Sequence, residues 1–291
     1  MGITEGVTAV VVTYRSGPTI ETCLRSLPAA AGSRPLQVIV VDNASDDDTL
    51  ARVQASGVPV QLVARSTNAG FGTANNEGLA KATGDWVVFA NPDTWWPPGS
   101  LDRLVAVASS HEEALVCPAL ENSNGTLQPT VETDLTAGRV VRGMLRLGRA
   151  IRPSAPPPSG DPIEVDWAHG AAMLMSTTLA LELGGFDERF FLFFEDLDLC
   201  WRVRQAGGTV LVAPEVRVGH VGGASMKRSG GDAWVAGQRV RGLATFLAKR
   251  QGARAARIYA TAALLVYGLT PSAVHRAMAR AAFSALRSID G

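Results

Sequence analysis

Four short β-branched runs, each but the last followed by a segment of helical spacing, constrain this chain more than any other feature. Residues 7–13 (VTAVVVT), 36–41 (LQVIVV), 58–63 and 86–90 (WVVFA) carry no regular polar alternation, so each reads as a strand buried on both faces. Residues 19–27, 47–55 and 74–82 lie between them with apolar side chains at helical intervals. Strand and helix alternating in units of roughly 25–30 residues imply parallel strands joined by right-handed crossovers. The first 95 residues are therefore expected to form an α/β half of nucleotide-binding size, with a mostly parallel sheet flanked by helices.

In open parallel sheets, ligands sit beyond the carboxyl ends of the strands. Polar and acidic residues collect at each such end here: Thr13, Tyr14, Arg15 and Ser16; Asp42 to Ser45, then Asp46, Asp47 and Asp48; Arg65, Asn68, Gly70 and Gly72; and Asn91-Pro92-Asp93. No GxGxxG follows the first strand and no GxxxxGK[ST] occurs, which excludes dinucleotide-dehydrogenase and P-loop readings.

Beyond residue 95, Arg139, Arg142, Arg146, Arg149 and Arg152 recur at intervals of three and four, placing them on one helical face. Residues 153–162 (PSAPPPSGDP) read as a loop, 165–175 as strand-like and 179–183 as a short helix. Residues 190–204 mix Phe194, Leu197, Leu199 and Trp201 with Glu195, Asp196 and Asp198. These acids also suit the exposed start of an amphipathic helix, a reading that fits Asp198 best. Residues 209–212 and 216–218 look like brief strands, and from 232 onward the Ala, Arg and Leu content predicts two or three helices.

The net charge is zero, from 27 basic and 27 acidic residues, but the average hides a gradient. After residue 225 there are 11 Lys and Arg against two acids, so residues 1–225 carry −9 and the tail +9. Cys23, Cys117 and Cys200 are odd in number and far apart, which argues against a disulfide framework and for a reducing compartment. The N-terminus lacks a secretory pattern, and the longest apolar stretch, 258–269, falls short of the roughly 20 residues that span a bilayer. A basic helical tail with Tyr259 and Tyr267 suits a peripheral contact with an anionic membrane, or packing against the body with its charge solvated. Stacking aromatics are too few to favour nucleic acid as a partner.

Taken in order, VVVTYRS, VVDNASDDDT, NAGFGTANNEG, the NPD after WVVFA, GGFDERFFLFFEDLDLCWR and HVGGAS resemble glycosyltransferase family 2 in its GT-A fold, in a rhamnosyltransferase-like combination. The resemblance spans about residues 7–225. It implies a GT-A catalytic unit over 1–226, with a nucleotide-binding half at 1–95 and an acceptor half at 96–226, followed by a basic helical C-terminal extension at 227–291.

The resemblance also implies roles. An inverting transfer from a nucleotide-sugar needs its leaving diphosphate neutralised, usually by Mg²⁺ or Mn²⁺, and a carboxylate to take the acceptor's proton. Asp93 and His220 are the expected metal ligands. The family pattern at Asn91-Pro92-Asp93 is Asp-x-Asp, so one carboxylate is missing, and Pro92 also allows a simple turn. Thr13, Tyr14, Asp42, Arg65, Asn68, Gly70, Gly72, Asn91 and Asp93 are expected on the donor side, with Asp42 on the base or ribose. Lys227 and Arg228, in a lid after His220, are expected to meet the diphosphate. Asp196 is the expected general base and Glu195 its support, their pKa raised by burial beside Phe193 and Phe194. Trp167, His169, Gly170 and Ala171 are expected on the acceptor side, although Trp167 equally suits a core role.

The resulting expectation is a cytoplasmic, membrane-peripheral transferase moving rhamnose from dTDP-rhamnose to a saccharide on a polyprenyl-diphosphate carrier, in cell-wall or surface-polysaccharide assembly. A UDP-hexose donor on the same fold, or a non-catalytic nucleotide- or sugar-binding protein, are the competing readings.

Overall fold

The computed structural model describes residues 5–111, 113–132, 135–145, 153–222, 231–270 and 272–289. β1 (Val7–Thr13), β2 (Leu36–Asp42), β3 (Gln61–Ala64) and β4 (Trp86–Ala90) pair in parallel in the order β3-β2-β1-β4. They are joined by α1 (Gly17–Ala31), α2 (Thr49–Ala55) and α3 (Phe71–Leu79). β1 and β4 match their expected bounds because both runs are buried, β1 along its whole length. β3 differs. It starts at Gln61, and Gln61, Leu62 and Ala64 are exposed, because it pairs with β2 alone at the sheet edge. Pro59 has no amide to donate to a ladder, so 58–60 stays a loop, with Val58 and Val60 packed on the core.

The second half contributes β5 (Thr94–Trp95), α4 (Ser100–Ser109), β6 (Ala114–Glu121), β7 (Val131–Glu132), α5 (Ala137–Met144), β8 (Ile163–Glu164), β9 (Trp167–Ala168), β10 (Ala172–Ser176), α6 (Thr177–Glu182), α7 (Glu195–Gln205) and β11 (Thr209–His220). β10 lies antiparallel between β4 and β6, β6 pairs in parallel with β11, and β5 and β8 edge β11 in antiparallel sense. β7 and β9 make a separate two-stranded sheet. The two strands expected at 209–218 are one, interrupted by a bulge between Ala213 and Arg217 where Pro214 breaks the ladder.

Helices cover both sheet faces. Ile20, Leu24, Leu27, Leu101 and Leu104 seal one; Leu179, Phe186, Leu199 and Val203 seal the other. Phe186 meets Phe89 edge-on at 4.9 Å between centroids, an arrangement worth about 1 kcal/mol beyond area burial. The three cysteines are buried and unpaired, and burial pushes the Cys23 thiol up to about 12.

The C-terminal part forms three helices, α8 (Gly231–Gln251), α9 (Ala253–Gly268) and α10 (Ala273–Ile289). They share a core of Val240, Leu247, Tyr259, Ala263 and Ala282 that takes in Ala137, Val140 and Met144 of α5. Arg139 and Arg142 point outward from α5, while Arg146, Arg149 and Arg152 lie outside the described residues. Phe246 of α8 packs with Phe190 and Leu197, so the extension is joined to the body next to the start of α7.

Candidate active site

Register builds the side where the donor is expected. Thr13 and Asp42 are partners at the carboxyl ends of β1 and β2, and Thr13 Oγ1 donates to Asp42 Oδ1 at 2.8 Å. Ser45 adds two donors, its hydroxyl to Oδ1 at 2.5 Å and its amide to Oδ2 at 2.9 Å. A carboxylate has about four acceptor positions, so buried Asp42 is held rigidly with capacity for one more donor. Asp42 does not cap α2: the N-cap residue is Asp48, which makes no side-chain cap bond, and the Thr49 amide donates to Asp47 Oδ1. Tyr14 is half-buried under the Arg15 guanidinium, 5.2 Å from its ring centre. Arg65 is tied to Glu77 of α3, and Asn68 Oδ1 accepts from the Gly70 amide at 3.0 Å. Gly70 has φ +95° and a Cβ on it would collide with the Phe191 carbonyl, while a Cβ on Gly72 would come 3.0 Å from Phe186. These two glycines let the 65–72 loop close against residues 186–191.

The second cluster forms where β5 meets β11. Pairing of Thr94 with His220 and of Trp95 with Gly219 is possible because the Trp95 ring fills the space a Cβ on Gly219 would take. Asp93 Oδ1 thereby comes 3.3 Å from His220 Nε2, both residues buried. Gln128 Nε2 donates to the His220 carbonyl at 2.7 Å and to Asn122 Oδ1 at 2.9 Å, which turns its Oε1 toward His220 Nδ1 at 2.8 Å. Nδ1 thus carries a proton, which leaves Nε2 as the nitrogen that faces the carboxylate and, in the neutral ring, the one with the lone pair. Two acceptors this close need a proton or a cation between them. Adjacent ligands of an octahedral ion with bonds of about 2.1 Å sit about 3 Å apart, so the pair fits a divalent metal. No third His, Cys, Asp or Glu joins the pair among the described residues, so an ion held by these two would need further oxygen ligands. Asn91 and Asp93 flank Pro92 in a turn, closed by the Thr94 amide donating to the Asn91 carbonyl. The turn and the ligand roles are therefore compatible.

Asp196 completes the cluster. Phe193 and Phe194 both have positive φ, 68° and 72°, a costly left-handed pair that swings the chain into α7. Asp196 Oδ2 then accepts from the Gly170 amide at 2.9 Å and Oδ1 from the Leu197 amide at 2.9 Å. A Cβ on Gly170 would stand 2.8 Å from the Asp196 Cβ, so this approach requires glycine. Glu195 is buried, with Oε2 unpartnered among the described residues, and burial followed by the Asp196 charge raises its carboxyl well above the usual range. His169 is exposed as a residue, yet protein crowds its ring; that crowding lowers its pKa, with Asp196 opposing and His220 and Arg239 assisting. Its ring lies 6.0 Å from that of His220. Asp93, His220, His169 and Asp196 therefore form one site, and two strand spacings, roughly 10 Å, separate Asp42 on β2 from the end of β4.

Of the acceptor-side expectations, His169 alone is exposed. Gly170 and Ala171 are buried and act through backbone, Ala171 by accepting from the Asn91 amide at 2.8 Å. Trp167 is half-buried and packs in the core, its Nε1 unpartnered among the described residues. Lys227 and Arg228 lie outside the described residues. Asp198 is corrected: it is fully buried rather than on an exposed face, paired with Arg202 at 2.7 Å and Lys249 at 2.5 Å. Gln128, Arg239 and Lys249 were not foreseen. Each acts on a partner more than 40 residues away, and only the fold reveals the match.

The family model for glycosyl transferase family 2 matches residues 8–160. The chain is 32% identical over 241 residues to the N-acetylglucosaminyl-diphospho-decaprenol L-rhamnosyltransferase of Mycobacterium tuberculosis, covering 75% of this chain and 76% of the relative. It is 23% identical over 205 residues to the low-salt glycan biosynthesis hexosyltransferase Agl10 of Haloferax volcanii, covering 69% and 62%. Among solved structures, Staphylococcus aureus TarS 1–349 with UDP-GlcNAc superposes with TM-score 0.55 at 17% identity, covering 98% and 90%. A mannosyltransferase of Pyrobaculum calidifontis with GDP-Man and Mn²⁺ gives 0.53 at 19%, covering 99% and 86%. These likenesses establish the GT-A fold. With a family match over more than half its length and a rhamnosyltransferase relative over three quarters, the chain belongs to glycosyltransferase family 2 and is a glycosyltransferase.

Proposed function

We propose that this enzyme transfers rhamnose, with inversion, from dTDP-rhamnose to a saccharide carried on a polyprenyl diphosphate. The observation that carries the reading is the placement of Asp196 between the Gly170 and Leu197 amides, in one cluster with the Asp93–His220 pair. The donor nucleotide lies along the ends of β1–β4, its pyrimidine nucleoside directed to the remaining acceptor position of Asp42, with Thr13, Tyr14 and the 65–72 loop around it. Asn91 and Asp93 stand on the diphosphate side. Asp196 accepts the proton of the acceptor hydroxyl as it attacks the sugar, while Glu195, favouring its protonated form, supports the base without competing for charge. Mg²⁺ or Mn²⁺ held by Asp93 and His220 supplies neutralisation of the departing diphosphate. Residues 1–95 serve the nucleotide and 96–226 the acceptor.

The acceptor class rests on the mycobacterial relative, whose name specifies a diphospho-decaprenol-linked N-acetylglucosamine. Peripheral membrane attachment follows from that class and from the surface of the extension at 227–291. Ile258 and Leu265 of α9 and Leu269 at its C-cap are 50%, 61% and 86% exposed, with Arg254 and Arg257 on the same helix. No acid occurs between 233 and 289, which suits an anionic leaflet on the cytoplasmic side. No helix of the described residues is long and apolar enough to cross a membrane.

The test is a donor panel with a short polyprenyl-diphospho-N-acetylglucosamine acceptor and Mg²⁺ or Mn²⁺. Transfer from dTDP-rhamnose at a rate well above UDP-hexoses supports the assignment. Preference for a UDP-hexose overturns the donor, and no transfer from any pyrimidine nucleotide-sugar overturns the function.

A further inference from the structure

A cleft of about 330 Å³ opens between residues 189–192 and α8, lined among others by Arg189, Phe191, Trp234, Gln238, Arg241 and Thr245. That volume is within the range of small-ligand sites. Its lining holds two guanidinium groups and no carboxylate. Arg189 is partly neutralised by Asp187 at 2.6 Å, but Arg241 is exposed and has no acidic partner among the described residues. The apolar wall is aromatic, with Phe191 meeting the Trp234 ring edge-on at 6.1 Å. Fork-shaped cations beside an aromatic wall match an anion of phosphate type esterified to a hydrocarbon.

Phe191 separates this cleft from the donor side. Its carbonyl accepts from the Phe71 amide at 3.0 Å and presses on Gly70, while its ring faces the cleft. On the other flank, Gly242 of the cleft packs so tightly on the Phe193 carbonyl that a Cβ there would stand 2.6 Å away. Arg239, on the same helix, lies 4.9 Å over the Phe193 ring, and its charge reaches His169. α8 thus runs from the cleft to the edge of the Asp196 cluster. A diphosphate at Arg241 and Arg189 would lie across Phe191 from the 65–72 loop, with its hydrocarbon against Trp234.

We propose that the cleft between residues 189–192 and α8 binds the isoprenoid diphosphate of the acceptor, with Arg241 and Arg189 on the diphosphate and Trp234 and Phe191 on the first isoprene units. This deepens the acceptor reading above and rests on it, so the test reads binding rather than turnover. Calorimetric titration of the full chain uses farnesyl diphosphate, inorganic diphosphate, farnesol and dTDP. Farnesyl diphosphate is expected to bind wild type at least about tenfold tighter than inorganic diphosphate or farnesol, and Arg241→Ala and Trp234→Ala each to weaken it about tenfold. The affinity for dTDP stays unchanged in both variants. Equal binding of farnesyl diphosphate to wild type and variants overturns the proposal, as does a loss of dTDP affinity in Arg241→Ala, which would assign the cleft to the donor. Farnesyl diphosphate binding that depends on Arg241, in a protein that transfers no sugar, would keep this site and remove the transfer reading alone.

Discussion

Lys249 Nζ stands 2.5 Å from Asp198 Oδ1 and 2.7 Å from Asp187 Oδ2, so one ammonium on α8 ties the first turn of α7 to the loop before it. Arg189 first, and Lys249 after it, hold the Asp187 carboxyl well below the usual range against the opposing effect of burial. The C-terminal extension is therefore bolted to the helix that carries Asp196. Lys249→Met leaves buried Asp198 with Arg202 alone, and is expected to lower unfolding free energy by about 3 kcal/mol in urea denaturation. A loss below about 0.5 kcal/mol would mean the pair behaves as a solvated one.

Glu195 gives a pH signature. Its folded pKa lies above the unfolded value of 4.5, so the folded state binds more protons over that interval and stability falls as pH rises through it. Glu195→Gln cannot ionise. Relative to wild type, the variant is expected to gain stability steadily from pH 4.5 upward, measured by denaturation at fixed pH values. A stability difference independent of pH would show Glu195 to be solvated.

Gln128 sets the proton position on His220. Gln128→Ala frees the ring, and the apparent Mn²⁺ affinity in donor hydrolysis is expected to fall about tenfold or more, as for other residues that orient a metal ligand. Unchanged Mn²⁺ dependence in both Gln128→Ala and His220→Ala would remove His220 from the metal site.

The parts of the fold fixed by local pattern were legible. VTAVVVT and WVVFA are strands wherever they are central in a sheet, and the NPD and FFEDLD segments point to strand-end and helix-start chemistry without reference to partners. Position within the sheet was not legible: 58–63 has an apolar pattern like that of 36–41, yet the edge location exposes Gln61 and Leu62. Asp198 shows the same limit. Its spacing suits a solvated helix face, and its burial depends on Lys249, 51 positions along the chain, whose arrival nothing local signals. The Asp93–His220 pair was legible as residue types, whereas the contact itself depends on Gly219 yielding its space to Trp95.

Truncating the tail would remove Phe246 and uncover its partners Phe190 and Leu197 on the body, so membrane attachment is better tested by surface substitution. Leu265→Glu with Leu269→Glu is expected to abolish flotation with vesicles containing anionic lipid, while circular dichroism and dTDP affinity stay unchanged. Equal flotation of wild type and the double variant would refute attachment through α9.

The most direct measurement of the central claim combines the anomeric configuration of the product, read by NMR, with turnover of Asp196→Asn. A product inverted relative to the donor is expected, with kcat of Asp196→Asn reduced about 100-fold or more and dTDP affinity retained. Retained configuration, or an Asp196→Asn variant within about tenfold of wild type, would contradict single displacement with Asp196 as the base.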